Sequence, residues 1–297
     1  MTSSAAVSAS APAILVRDLR KTYGEHEAVR GIDFEVAGGE VFGLLGPNGA
    51  GKTTTVEILE GYRERSGGIV SVLGFDPQQR ARALRERVGI VLQSSGIYRH
   101  VRVREAIAHW AAMYPSPRDP DDVMQLVGLA EKADATARTL SGGQMRRLDL
   151  ALALVGDPEL IFLDEPTTGF DPAARRAAWD TISRLQDLGK TVLITTHYLE
   201  EAQALCDRVA IIKDGRIVAE GPPAALGDAS ARYRVSWRSE DGAQQVREES
   251  DPTALLHQLT SAALARGESV RDLSVTRPTL EDVYLELTAA ETEEQPS

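Results

Sequence analysis

The sequence predicts an α/β fold: a mixed, largely parallel sheet covered by helices, with a helical subdomain inserted and a small α+β domain following. Three observations lead there. Short segments rich in Val, Ile and Leu alternate with helix-forming stretches along most of the chain, the pattern of a sheet covered on both faces. Between Leu92 and Leu160 the alternation gives way to VREAIAHWAAMY, DPDDVMQLVGL and GQMRRLDLALALV, which read as helices in succession. Near Gly221–Gly227 the stretch EGPPAALG carries two prolines and two glycines, the composition of a boundary.

In chain order, residues 1–12 are an Ala/Ser-rich tail, and order begins near Ala13. Ala28–Val36 and Glu40–Leu45 read as strands broken by Gly38-Gly39. A glycine-rich turn follows Leu45 and leads into the helical TTTVEILEGY. Further strands are expected at Gly68–Leu73, Val88–Leu92, Leu160–Leu163, Thr191–Thr195 and Val209–Ile212. The main domain is thus expected over 13–227 with its helical subdomain at about 94–157, an accessory domain over 228–290, and an acidic tail over 291–297. Residues 228–297 hold 7 Arg, no Lys and 14 Asp+Glu, contributing −7 of the total charge. They contain strand-like RYRVSWR, a helical DPTALLHQLTSAALARG, and TLEDVYLELT, whose Leu280, Val283, Tyr284 and Leu287 share a helical face. That face either packs on the segment's own strands or serves a partner.

Composition narrows the function. The 297 residues carry 33 Lys+Arg against 44 Asp+Glu, a net charge of −11, so a broad nucleic-acid footprint is not expected. An anionic ligand must be held by local geometry instead. Cys206 is the one cysteine, which excludes an intramolecular disulfide and suits a reducing cytosol. No apolar run approaches the roughly 18–20 residues needed to cross a bilayer; Leu150–Gly156 is closed by Asp149 and Asp157. The N-terminus lacks the basic start and long apolar centre of a secretory signal. A membrane role would therefore run through a partner. His26, His100, His109 and His257 show no ligand spacing, Cys206 reads as an apolar filler on a helix, and Trp110 and Trp179 read as packing.

Three motifs carry chemistry. GPNGAGKTT comprises Gly46, Pro47, Asn48, Gly49, Ala50, Gly51, Lys52, Thr53 and Thr54, and fits G-x-x-x-x-G-K-S/T between a strand and a helix. Glycines let the backbone form a nest of N–H groups around phosphate oxygens, and the helix start aims its positive end at the same anion. Lys52 would supply a charge to the β/γ-phosphates and Thr53 a hydroxyl to Mg²⁺. LIFLDEP delivers Asp164 at the carboxyl end of an apolar strand, where it would hold Mg²⁺, and Glu165 next to it as general base for an attacking water. LSGGQ, Leu140–Gln144, offers Ser141 as N-cap, with Gly142 and Gly143 exposing amides at a helix start.

In this order the motifs resemble the nucleotide-binding subunit of an ATP-binding cassette (ABC) transporter over about residues 13–227. The resemblance implies a P-loop ATPase core that binds ATP and Mg²⁺, hydrolyses ATP and drives a separate membrane permease from the cytoplasmic face. It implies a head-to-tail homodimer formed on ATP binding, in which Ser141 and Gly143, with Gly142 and Gln144, meet the γ-phosphate held by the opposite protomer. Gln93 matches the loop glutamine that senses Mg²⁺, Asp171 the D-loop, His197 the switch histidine on the γ-phosphate, and Tyr23 the aromatic that stacks on adenine. Phe170 stands where the family usually has leucine, and Met145 where it usually has a polar or basic residue. KTYGEHEAVRGIDFEV, LDEPTTGFDP and RPTLEDVYLELT further resemble daunorubicin-type drug-resistance exporters, so export of a drug or other hydrophobic compound is the expected role. An importer ATPase and a soluble ABC ATPase acting on ribosomes or DNA are the competing readings.

Overall fold

A computed structural model describes residues 11–91, 99–228, 233–239, 242–276, 280, 281 and 284. The chain divides into two compact units, Met1–Glu220 and Gly221–Ser297.

The first unit opens with β1 (Ile14–Tyr23) and β2 (His26–Val36), joined by a two-residue turn, and β4 (Gly67–Val72) pairs with the other side of β1. These strands form their own antiparallel sheet, order β2-β1-β4. Hydrophobic alternation is blind to strand direction, so the sequence alone does not separate them from the main sheet. The main sheet contains β3 (Val41–Leu45), β5 (Val88–Val91), β6 (Leu160–Asp164), β7 (Thr191–Thr196), β8 (Arg208–Lys213) and β9 (Arg216–Gly221), in the order β5-β6-β7-β3-β8-β9. Every pair from β5 to β8 is parallel. β9 is an addition to the sequence reading; the turn Asp214-Gly215 is the hairpin signal that marks it.

Register sets the site. Leu45 lies opposite Thr196, and Asp164 opposite Thr195, so the carboxyl ends of β3, β6 and β7 are level. Three loops therefore leave the sheet side by side at the edge where open parallel sheets place ligands. β3 is buried along its whole length, and the ring of Phe42 stacks on Phe34 of β2 with centroids 5.5 Å apart. Burying each such ring contributes about 1.5–3 kcal/mol. That contact ties the two sheets into one core with Ile14, Val16, Leu44 and Phe162.

Helix α1 (Lys52–Leu59) follows β3, and the short α2 (Arg82–Arg85) precedes β5. The helical stretch is α3 (Val103–Ala111), α4 (Pro120–Leu126) and α5 (Gly142–Leu154), which share buried Val103, Ile107, Val123, Met124 and Leu148. α6 (Pro172–Asp187) and α7 (Leu199–Leu205) flank β7. Two assignments are corrected. Trp110 is 40% exposed rather than packed, because α3 is short and only its Val103–Ile107 side is covered. Cys206 is buried as expected, but it lies past the end of α7 in extended backbone, with its sulfur against Gly43.

A cavity of about 370 Å³ opens beside β5, between Leu59, Tyr62, Trp110, Tyr114 and Leu152, with Glu60 on its wall. Burial, reinforced by the negative charges of Asp164 and Glu57, pushes the Glu60 carboxyl from 4.5 up to about 8. The folded state therefore holds a proton that the unfolded chain releases, so stability falls as pH rises from about 4.5 to about 8. Glu60→Gln is expected to flatten that fall. Thermal melts at pH 5 and pH 8.5 check it: wild type should lose several degrees more than the variant, and equal losses would remove Glu60 as the cause.

In the second unit, α8 (Pro223–Asp228) precedes β10 (Tyr233–Arg238), β11 (Gln244–Glu249), α9 (Thr253–Ala265) and β12 (Arg271–Thr276). β10 is the centre of an antiparallel sheet, order β11-β10-β12. Val235, Leu255, Ala263 and Leu280 are buried in this unit. β11 and β12 do not stand out in the sequence because they are polar and almost wholly exposed. Of the terminal helical face, Leu280 is buried and Tyr284 half-buried, while Val283 and Leu287 lie outside the described residues.

Candidate functional site

Gly46–Thr54 spans the short path from the end of β3 to the first turn of α1. Close approach dictates its glycines. A Cβ on Gly46 would stand 2.2 Å from the carbonyl oxygen of Ile212, and one on Gly51 would stand 2.7 Å from that of Ala28. Gly51 is also at φ 107, a conformation that side-chain-bearing residues rarely adopt. α1 has no side-chain cap and no acidic residue in its first turn, so its N-terminal amides keep their positive field for an anion. Lys52 folds back over the loop, its Nζ donating to the carbonyls of Gly46 at 2.6 Å and Pro47 at 3.0 Å. Lys52 as a whole is 5% exposed. Burial lowers its pKa, and the nearby carboxylates of Glu165 and Asp164 oppose that shift. Thr53, Asn48 and Gly49 are exposed, Pro47 and Thr54 half-buried, and Ala50 buried.

Asp164 closes β6 and Glu165 starts the turn beyond it. Glu165 sits at φ 45, a left-handed conformation that costs about 1–2 kcal/mol for a residue with a side chain. Its N–H holds it there by donating to Thr195, both to the carbonyl oxygen at 3.1 Å and to the hydroxyl at 3.0 Å. The Thr195 hydroxyl in turn donates to Asp164 Oδ1. So β7 holds both acids in place. The Glu165 carboxylate accepts from the Thr168 hydroxyl at 3.1 Å and faces His197 Nδ1 at 3.3 Å. His197 follows β7 directly, with its ring centroid 4.1 Å from that of Tyr198.

Ser141 caps α5: its Oγ accepts from the Gln144 N–H, and the Gln144 side chain accepts from the Ser141 N–H. This is a reciprocal capping box at the helix start that the sequence marks. Ser141, Gly142 and Gly143 line a cleft of about 490 Å³ that also takes in Glu165, Thr168 and Asp171. The Asp171 carboxylate accepts from the N–H groups of Ala173 and Ala174, capping α6. Tyr23 stands apart on β1, 39% exposed, with Lys21 Nζ 5.0 Å and Arg63 Cζ 5.3 Å from its ring centroid. Gln93 lies outside the described residues.

Lys52, Asp164, Glu165 and His197 are thus drawn together at the carboxyl edge of one sheet. Sequence reasoning missed Thr195 and Arg146. The half-buried Arg146 donates through Nη2 to Asp164 O at 2.9 Å and through Nε to Pro166 O at 3.3 Å, binding α5 to the acidic turn. Its place two residues after LSGGQ was the available signal.

A phosphate nest on a buried strand, a folded-back lysine and a paired acid and imidazole define a P-loop nucleotide-binding protein. The comparisons narrow this. The family model described as ABC transporter matches residues 29–168. The Nod factor export ATP-binding protein I of Burkholderia orbicola is 45% identical over 215 residues, 71% of each chain. Its namesake in Cupriavidus metallidurans is 38% identical over 297 residues, covering 93% of this chain and 97% of that one. Among solved structures, cbiO1 of Clostridium perfringens, part of the ABC transporter complex cbiONQ, matches with TM-score 0.66 and 30% identity over 72% of this chain and 90% of that one. The chain belongs to the ABC transporter family, as an ATP-binding and ATP-hydrolysing subunit. Such subunits dimerise and work with a separate membrane permease. Among the described residues no helix is long and apolar enough to cross a membrane.

Proposed function

We propose that this chain powers the export of a drug or other hydrophobic compound, as the ATPase of a daunorubicin-type exporter at the cytoplasmic face of the membrane. The observation that carries the reading is similarity to Nod factor export ATP-binding proteins over 93% of this chain, more than the ATPase domain alone. An ATPase domain over 13–227 supplies the motor. The P-loop amides and Lys52 hold the β- and γ-phosphates, and Tyr23 stacks on adenine. Glu165 takes the proton of the attacking water, and His197, paired with it at 3.3 Å, orients the carboxylate and meets the γ-phosphate. Water adds to the γ-phosphorus as the bridging oxygen leaves with ADP, giving ADP and phosphate. Ser141 and Gly143, flanked by Gly142 and Gln144, close on the partner's γ-phosphate in a head-to-tail dimer, and Asp171 lies at that junction. Gln93 completes the assignment as the Mg²⁺-sensing glutamine.

Mg²⁺ suits the donors present. The Thr53 hydroxyl and the Asp164 carboxylate are two hard oxygen donors, carried by the first turn of α1 and by the end of β6. That is the sparse set expected of Mg²⁺ shared with phosphates and waters. When bound, it neutralises charge on the phosphates.

Cells expressing the chain with its permease test the direction of transport. Replacing wild type by a Glu165→Gln chain should raise accumulation of hydrophobic drugs and sensitivity to them. Lower accumulation in the variant would mark an importer.

A further inference from the structure

Glu201 is fully buried on α7, four residues beyond His197. Its Oε1 accepts from the Thr167 hydroxyl at 2.8 Å and from the Trp179 indole N–H at 3.1 Å. Its Oε2 is buried without a partner. A carboxylate left half-satisfied in the interior is costly, and an apolar side chain of equal volume would fill the space more cheaply. What the carboxylate does is join three separate pieces. Thr167, itself fully buried, belongs to the turn that carries Glu165. Trp179 belongs to α6, whose start is capped by Asp171. Glu201 belongs to the helix that continues from His197.

We propose that Glu201 is a positioning residue for hydrolysis: by gripping Thr167 and Trp179 it fixes the turn Glu165–Phe170 against the segment bearing His197. The inference rests on the reading of Glu165 as the base. The path is short. Thr168, next to the gripped residue, donates its hydroxyl to Glu165 Oε2 at 3.1 Å and its N–H to Glu165 O at 3.3 Å. The N–H of Phe170 donates to Thr167 O at 3.1 Å, closing the turn on the anchored residue. Were Thr167 released, the turn at Glu165 would lose this anchor, and the carboxylate would lose its fixed distance to His197. A displacement of an ångström at such a group is enough to cost up to about 10²-fold in rate. The phosphate nest, built on β3 and α1, has no part in this grip, so ATP binding should stand.

The test uses the full chain and measures ATP affinity and single-turnover hydrolysis for Glu201→Gln, Glu201→Ala and Thr167→Val, each alone and in a Glu165→Gln background. Glu201→Ala and Thr167→Val are expected to slow hydrolysis at least about fivefold with affinity within about twofold of wild type, the split that marks an interaction needed in the transition state. Glu201→Gln keeps an acceptor oxygen and should rescue the rate to within about twofold. In the Glu165→Gln background neither Glu201→Ala nor Thr167→Val should lower the residual rate further, because residues acting through one group are not additive. Wild-type hydrolysis by Glu201→Ala, an equal loss in both backgrounds, or a Glu201→Gln protein as slow as Glu201→Ala overturns the proposal. Should Glu201→Ala fail to fold, Thr167→Val, which replaces one hydroxyl by a methyl group, decides by the same two comparisons. If Glu165→Gln alone leaves hydrolysis intact, the reading of Glu165 as base falls, and the inference with it.

Discussion

Glu165→Gln is expected to bind ATP as wild type does and to hydrolyse it about 10²–10⁴-fold more slowly, the range for loss of a general base. That corresponds to about 3–5 kcal/mol of barrier. The amide has the shape of the carboxylate and still accepts a hydrogen bond from Thr168, and the backbone anchor on Thr195 does not involve the side chain. What it loses is basicity and the negative charge facing His197. Single-turnover hydrolysis alongside nucleotide affinity separates chemistry from binding, and near-wild-type turnover would remove Glu165 from the base role. The same variant should accumulate ATP-bound dimers in sedimentation. Adding Ser141→Arg should disperse them, because the guanidinium would occupy space at the capped start of α5 where the partner's phosphate is proposed to lie.

The motifs were readable because their chemistry is local. Gly46–Thr54 is a contiguous loop whose lysine bonds back to Gly46 and Pro47, and LSGGQ is a helix cap written in consecutive positions, although Gly46 and Gly51 also answer the distant carbonyls of Ile212 and Ala28. The residues that sequence reading missed act across long separations. Thr195 reaches Asp164 only because β6 and β7 run parallel in one register, Arg146 crosses from α5 to the acidic turn, and Glu201 crosses from α7 to Thr167. Nothing near a lone threonine or glutamate in the sequence marks such a partner. The strands that went unread have the opposite cause. β11 and β12 lack the alternation that burial of one face imposes, since neither buries one. For Asp171, the neighbouring Pro172 was a local sign of its capping role: proline at the first helical position and an acid before it mark a helix start.

Lys52→Ala is expected to lower ATP affinity by about 10²–10³-fold, or about 3–4 kcal/mol, within the range for removing one partner of a buried charge contact. The ammonium is the cation held at the phosphate nest, and its two carbonyl partners, Gly46 and Pro47, lie within the nest itself. Without phosphate, this cation rests on backbone oxygens and on the field of Asp164 and Glu165. Burial already works against its charge, as its lowered pKa shows, so deleting it takes an unfavourable desolvation out of the empty protein along with two hydrogen bonds. Those changes oppose each other in the folded chain. In the complex they do not, because the phosphates would then face Asp164 and Glu165 without the Lys52 charge between them. The variant should therefore melt close to wild type without nucleotide and fail to gain the rise in melting temperature that ATP gives wild type. Melting curves with and without ATP-Mg²⁺, together with a direct binding titration, read both quantities. A Lys52→Ala protein that binds ATP within threefold of wild type would show that the amides and the start of α1 hold the phosphates on their own.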